Sequence, residues 1–297
     1  MNSSISMNLD GLSTRTMVSF QPSLSSDALT INGELMSGSA QERVSLVLDL
    51  VRTMAKIKER AEIASENNFP SSAGLASSAS AFAALALAAS LAAGLDLSER
   101  ELSRLARRGS GSAARSIPSG FVEWQAGTSD EDSFAFSIAP PAHWPLADCI
   151  ALISSGQKET GSTEGHSRAG TSPLQAARVL DAPRRLEVCR RAIRERDFEA
   201  LGSIVELDSD MMHAVMMTSN PPLHYWRSGT LEVMQAVRAW RAAGTAACYT
   251  IDAGPNVHVL CPEGDAAEIA KRLQELDGVG GVLTARAGGP ASRVDGN

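Results

Sequence analysis

Residues 67–79, Asn-Asn-Phe-Pro-Ser-Ser-Ala-Gly-Leu-Ala-Ser-Ser-Ala, run a loop of small side chains straight into an alanine-rich helical stretch that starts near Ser80. Backbone N–H groups at such a helix start have no intrahelical acceptor and sit at the positive end of the helix dipole, so an anion placed there meets several donors. Gly74, Leu75, Ala76, Ser77 and Ser78 are therefore candidate nucleotide-phosphate contacts, and the hydroxyls of Ser77 or Ser78 could also enter a magnesium shell. No lysine follows the glycine, so this is not the G-x-x-x-x-G-K-[ST] phosphate loop. An N-cap on a tightly packed helix is the alternative reading of the same residues.

With 297 residues the chain can bury a substantial core, and two domains are expected, 1–145 and 146–297, divided at the proline-punctuated crossing 140–145. A net charge of −7 argues against a general nucleic-acid surface, so an anionic substrate must be held by local positive groups, with magnesium helping. Cys149, Cys189, Cys248 and Cys261 are far apart with no C-x-x-C pair, and read as reduced, buried thiols. The most apolar run, Ala79 to Ala93, is too short to span a bilayer and no secretory leader pattern opens the chain; the cytoplasm is the expected compartment.

Periodicity places the elements around the loop. Ile5, Met7 and Leu9 alternate as part of a sheet, Thr14 to Phe20 reads as a strand, and Ala28 to Met36 as a hairpin turning at Asn32-Gly33. Val44, Val47, Leu48, Val51 and Met54 recur at helical spacing, a strand from Ala61 to Ser65 feeds the loop, Gly94 suits a helix C-cap, and Ser98 to Glu101 is a capping box. Further on, Ser172-Pro173 reads as the N-cap and first turn of a largely helical stretch reaching Arg241, with methionine pairs as core filler. Ala246 to Cys261 reads as two strands joined by a turn, followed by a helix from Asp265 to Leu276, a glycine-rich strand and a disordered tail, 288–297.

Two segments carry chemistry of their own. In Gly109-Ser110-Gly111-Ser112-Ala113-Ala114-Arg115-Ser116 one arginine stands among small residues, a setting that suits a carboxylate or phosphate. A glycine-serine linker is the alternative, but linkers are not usually followed at once by an apolar strand such as 121–125. Asp252 ends an apolar strand in Asp-Ala-Gly-Pro-Asn, which taken alone is better read as a turn whose carboxylate bonds nearby backbone N–H groups.

Together these motifs resemble the diphosphomevalonate decarboxylases of the GHMP kinase superfamily. The resemblance is carried by Pro70-x-x-x-Gly74-Leu75-x-Ser77-Ser78-Ala79, by Gly109 to Ser116 with Phe121-Val122-Glu123-Trp124, by His143-Trp144-Pro145, by the loop from Lys158 to His166, and by Asp252 to Asn256. It implies an α+β, two-domain GHMP kinase fold, with a ribosomal protein S5 domain 2-like N-terminal domain and an α/β-sandwich C-terminal domain. It also implies that Ser110 and Ser112 hold substrate phosphate, Arg115 the substrate carboxylate, Ser162 the transferred phosphoryl group between nucleotide and substrate, and that Asp252 is the catalytic residue. Its cosubstrate would be ATP with Mg2+ and no dedicated protein metal site, its partner a small phosphorylated mevalonate, and its assembly a homodimer.

The resemblance has departures. Ser119 stands where the family usually has the first of two glycines, and Gly161 and His166 replace a serine and a methionine. The family's Tyr-Trp-Gly-Lys motif, whose lysine contacts substrate phosphate, precedes a segment like Met1-Asn2-Ser3-Ser4; the expectation here is a start codon placed too late. The implied reaction is phosphorylation of the 3-hydroxyl of mevalonate 5-diphosphate by MgATP, then loss of phosphate and CO2 to give isopentenyl diphosphate. A phosphomevalonate decarboxylase, a GHMP kinase that does not decarboxylate and a non-catalytic paralogue are the competing readings.

Overall fold

In the computed structural model, which describes residues 2–69, 77–153 and 162–294, the alternation at Ile5, Met7 and Leu9 is divided between two sheets. β1 (Ser4–Met7) belongs to one and β2 (Leu9–Asp10) to another. β3 (Thr14–Gln21), β4 (Ala28–Ile31), β5 (Glu34–Met36) and, beyond α1 (Ser39–Ala55), β6 (Arg60–Asn67) form a sheet in the order β3-β6-β4-β5. Its hairpin turns at Asn32-Gly33 with both residues at positive φ, the backbone that a two-residue hairpin needs. α1 lays Val47, Leu48 and Val51 on this sheet, and α2 (Ser77–Ala92) and α3 (Glu99–Gly109) fill the same core. The small side chains of α2 let it sit close beneath its neighbours, and the capping box of Ser98 and Glu101 forms at the start of α3.

A 3-10 helix (Gly111–Ser116) leads into β7 (Phe121–Gln125), which lies between β1 and β8 (Phe134–Ala139). β9 (Leu146–Leu152) then begins the C-terminal sheet. After α4 (Ser162–Ala169), α5 (Gln175–Glu195), α6 (Phe198–Met217) and α7 (Ser228–Ala242) come β10 (Cys248–Thr250), β11 (Val257–Pro262), α8 (Ala266–Gln274) and β12 (Gly281–Ala287). The strand order is β10-β11-β9-β12-β2, antiparallel throughout. One face, with Ala147, Cys149, Ala151, Tyr249, Val257 and Val259, packs under α7 and α8. On the other face Leu146 packs with Phe121 and Met7, and Ile150 with Phe69 and Leu9. The N-terminal residues thus cover the C-terminal sheet.

Two expectations are corrected. α5 begins at Gln175, after a turn at Ser172-Pro173 in which the Ser172 hydroxyl accepts from Leu174 N–H at 3.2 Å and is also bonded to Thr218 Oγ1 at 2.6 Å, which ties the turn to the end of α6; the proline inside α5 is Pro183. The tail is ordered at its start, since the Ala291 N–H donates to the Ile117 carbonyl at 3.0 Å and Ala291 packs on the N-terminal core. The four cysteines are free thiols, three buried and Cys189 half-buried. His143 is structural, its Nε2–H bonded to the Ile193 carbonyl at 2.9 Å, and Met216 fills core beside Leu223 and Tyr225. Among the described residues no helix is long and apolar enough to cross a membrane.

The two ends of the chain meet at Gly120. Its carbonyl accepts from Asn8 N–H and its own N–H donates to Gly288, each at 2.9 Å, while Gly288 N–H donates to Asn8 at 2.7 Å. Gly120 has φ +75, and a Cβ there would stand 2.3 Å from the Ala139 carbonyl oxygen. Ser119 has no such backbone, so the departure there from a Gly-Gly pair is tolerated. Gly120→Ala should destabilise the fold by at least about 2 kcal/mol, from left-handed strain plus the clash. Ser119→Gly should cost less than about 1 kcal/mol. Urea unfolding of both variants checks the contrast.

Candidate active site

Asp252 is placed by its neighbour in the chain. The Ile251 N–H donates to Ser209 Oγ at 3.0 Å, and the Ile251 carbonyl accepts from the Ser209 hydroxyl at 3.4 Å and from His213 Nε2–H at 3.2 Å. Both clamping side chains come from α6 and are buried. Downstream, the Asp252 carbonyl accepts from Gly254 N–H at 2.8 Å, the Pro255 carbonyl from Thr230 Oγ1 at 2.6 Å, and Asn256 Oδ1 from Ile153 N–H at 2.8 Å. The turn is therefore fixed from α6, from the start of α7 and from the end of β9. Among the described residues no hydrogen bond reaches the exposed Asp252 carboxylate. The turn is closed by backbone, which rules out the reading of Asp252 as an Asx-turn carboxylate and leaves its charge available.

Arg115 is held by hydroxyls. Its Nε–H donates to Ser6 Oγ at 2.9 Å and its Nη1–H to Ser4 Oγ at 2.5 Å, both serines lying on one face of β1. Burial pushes the guanidinium pKa down, against an opposing pull from the charge of Asp252, so the two groups stand within electrostatic reach across the halves of the chain. Ser110, the C-cap of α3, and Ser112, in the first turn of the 3-10 helix, bring their hydroxyls within 3.3 Å of each other just upstream of Arg115. Ser103 fixes that segment from α3, its hydroxyl donating to the Ala114 carbonyl at 3.0 Å and accepting from Ala135 N–H at 2.8 Å.

Ser77 and Ser78 open α2, whose first turn carries no acidic residue. Ser80 anchors that turn, its hydroxyl reaching the Ser77 carbonyl at 3.2 Å and Thr14 Oγ1 at 2.7 Å. Gly74, Leu75, Ala76 and Gly161 lie outside the described residues; Ser162 is the first residue of α4, and His166 on the same helix is exposed. A helix start free of carboxylates, paired hydroxyls at Ser110 and Ser112, and an unbonded carboxylate at Asp252 fit a nucleotide and the magnesium that travels with it. Among the described residues no group of three or more His, Cys, Asp or Glu could hold a metal ion alone.

Sequence reasoning missed Ser4, Ser6, Ser209 and His213. The first two were within reach of it, because the Ser-Ile-Ser-Met alternation that buries Ile5 and Met7 puts both hydroxyls on the opposite face of β1. Ser209 and His213, four apart on α6, share a face but give no sign in the sequence of what they hold.

The α+β chain, with an acid-free helix start at Ser77 in one half and the Asp252 turn in the other, has the GHMP kinase fold. Residues 1–135 match the family model for the diphosphomevalonate decarboxylase-like N-terminal domain, and residues 149–280 that for the mevalonate 5-diphosphate decarboxylase C-terminal domain. The chain is 38% identical over 289 residues to the diphosphomevalonate decarboxylase of Candida albicans, spanning 92% of this chain and 80% of that one. It resembles the mevalonate diphosphate decarboxylase structure from Staphylococcus aureus at 39% identity and TM-score 0.91, covering 98% of this chain and 88% of that one. MDDEF in complex with MVAPP, AMPPCP and magnesium superposes at 40% identity and TM-score 0.90, covering 97% of this chain and 89% of that one. The chain belongs to the diphosphomevalonate decarboxylase family.

His213 adds a pH dependence to the placement of Asp252. Burial drives its pKa down to about 4, while the Ile251 carbonyl and the Asp252 charge pull weakly the other way. Between that value and the ordinary 6.5 only the unfolded chain binds the proton, so stability is full above 6.5 and falls as pH drops toward 4. The melting temperature should therefore fall between about pH 7 and pH 5, and fall less steeply in His213→Asn. Equal slopes in scanning calorimetry would remove His213 as a source of the effect.

Proposed function

We propose that this chain catalyses the ATP-dependent decarboxylation of mevalonate 5-diphosphate to isopentenyl diphosphate, releasing ADP, phosphate and CO2, as a step of isoprenoid synthesis. The observation that carries this reading is Asp252, a carboxylate with no hydrogen bond among the described residues, in electrostatic reach of Arg115, a guanidinium tethered there by the neutral hydroxyls of Ser4 and Ser6. The family name and the MVAPP and ATP-analogue complex of MDDEF support it. We place the division of the chain at 1–145 and 146–297 with the substrates between the halves, the protein in the cytoplasm, and its assembly as a homodimer.

In this reading Asp252 takes or orients the proton of the 3-hydroxyl as its oxygen attacks the γ-phosphorus of ATP. Gly74, Leu75, Ala76, Ser77 and Ser78 hold the nucleotide phosphates at the start of α2, with Ser162 beside the transferred group. Magnesium, when bound with the nucleotide, neutralises phosphate charge, and the hydroxyl of Ser77 or Ser78 would enter its shell. Ser110 and Ser112 donate to the substrate diphosphate. Phosphorylation makes the 3-oxygen a good leaving group. As it departs, C3 becomes electron-deficient, and the electron pair of the bond to the carboxylate carbon closes the double bond as CO2 leaves, so C3 itself is the electron sink. Arg115 orients that carboxylate, and orientation of this kind is worth roughly 7 kcal/mol or more in favourable intramolecular cases.

Purified protein given MgATP and either mevalonate 5-diphosphate or mevalonate 5-phosphate, with ADP and CO2 followed together, tests the proposal. Stoichiometric ADP and CO2 from the diphosphate alone is the expected result. Activity on the monophosphate alone would make it a phosphomevalonate decarboxylase, ADP without CO2 a kinase, and neither product a binding protein. Asp252→Asn should keep nucleotide affinity and lose turnover by about 10³-fold or more. Near-normal turnover in that variant, correctly folded, would sink the assignment of Asp252.

A further inference from the structure

Asp148 on β9 and His258 on β11 take no part in the chemistry above, yet they lie on the side of the sheet that meets the N-terminal half. The β9 residues on the same face, Leu146 and Ile150, pack with Phe121 and Phe69. His258 Nδ1 stands 2.7 Å from Asp148 Oδ2. The other Asp148 oxygen is buried without a partner, and among the described residues His258 Nε2 has none either. A carboxylate 3% exposed with one oxygen unsatisfied is tolerable only beside a cation, which puts the proton on the imidazole.

Burial opposes that charge, but the attraction and hydrogen bond of Asp148 overcome it and raise His258 to about 9, with Asp252 adding to the effect. Asp148 on β9 and Asp252 beyond β10 are the charged groups that act on His258. The cross-strand neighbours of the two paired side chains, Thr250, Ile150, Leu260 and Ala285, are uncharged.

We infer that His258 is a positioning residue of the active site, an imidazolium held from behind by Asp148, whose charge offsets the negative charge that gathers beside Asp252 when nucleotide and diphosphate bind together. The inference rests on the decarboxylase reading of that site. A pair that merely tied β9 to β11 would be replaceable by uncharged partners without consequence for turnover.

Two measurements on the full chain separate the possibilities. Nitrogen NMR of histidine-labelled protein should show His258 titrating near pH 9, and lower in Asp252→Asn. Titration near the ordinary 6.5, or a value unmoved by Asp252→Asn, would overturn the inference whether or not the chain turns over. In steady-state kinetics His258→Gln should lose about tenfold in kcat/KM for the diphosphate substrate at neutral pH, together with the alkaline limb of its pH profile. Asp148→Asn/His258→Gln, which buries no unpaired charge, should show the same loss in a stably folded protein. His258→Lys should restore most of the activity and move the alkaline limb upward. Wild-type kcat/KM in the double variant would overturn the inference while leaving the decarboxylase reading intact. Absence of CO2 release by the wild-type chain would overturn that reading, and with it the positioning role of His258, even if the NMR titration confirms the charge.

Discussion

Strand β9 is buried on both faces, and that double burial decides where the rest of the chain can go. A strand of this kind needs an apolar layer on each side, because each buried Leu or Ile side chain contributes roughly 1.5–3 kcal/mol only if it is covered. α7 and α8 supply one layer through Ala147, Cys149 and Ala151. On the other side, among the described residues, Leu9, Leu12 and Phe69 of the N-terminal half cover Ile150. Hydrophobic burial thereby brings Phe69, the last described residue before α2, to the C-terminal sheet. The junction of Asn8, Gly120 and Gly288 fixes the same approach with backbone bonds.

Within this seam the two histidines near Asp252 have opposite fates, and the partner rather than the burial decides each. His213 has one polar partner, the Ile251 carbonyl, and a neutral acceptor at 3.2 Å does not repay the desolvation of a cation. His258 has a carboxylate at 2.7 Å, and the attraction exceeds the same penalty. Neutral His213 can then serve as a backbone donor that sets the end of β10, a task that a titrating group would perform only over part of the pH range.

Much of this arrangement was legible in the sequence, because the elements that carry it obey local rules. The hairpin at Asn32-Gly33, the capping box at Ser98 and the helical spacing of Val44 to Val51 each follow from backbone or periodicity over a few residues. Arg115 stood out because one charged side chain lies among small residues, whereas Ser110, Ser112 and Asp252 were singled out through the resemblance of their motifs to the family's. What was not legible is long-range. Ser172 bonds Leu174 N–H as its local signal suggests, but nothing local shows that its hydroxyl also ties the turn to Thr218, distant in sequence. The tail looks free until Ile117 supplies an acceptor to Ala291. The helpers of the site, Ser209 and His213, act on the backbone of a residue about forty positions away, and a single sequence carries no local mark of that.

The tethering of Arg115 shows how the seam leaves its charges usable. Had a carboxylate clamped the guanidinium, the pair would have been locally neutral and an incoming anion would have had to displace it. Ser4 and Ser6 fix the same orientation with neutral acceptors, at the cost of burying a cation, and that cost appears as the depressed pKa of Arg115. Asp252 is held through the backbone of Ile251, and among the described residues nothing bonds its carboxylate oxygens. The two make no direct ion pair although they sense one another. Among the described residues each is positioned by groups that leave its charge unneutralised.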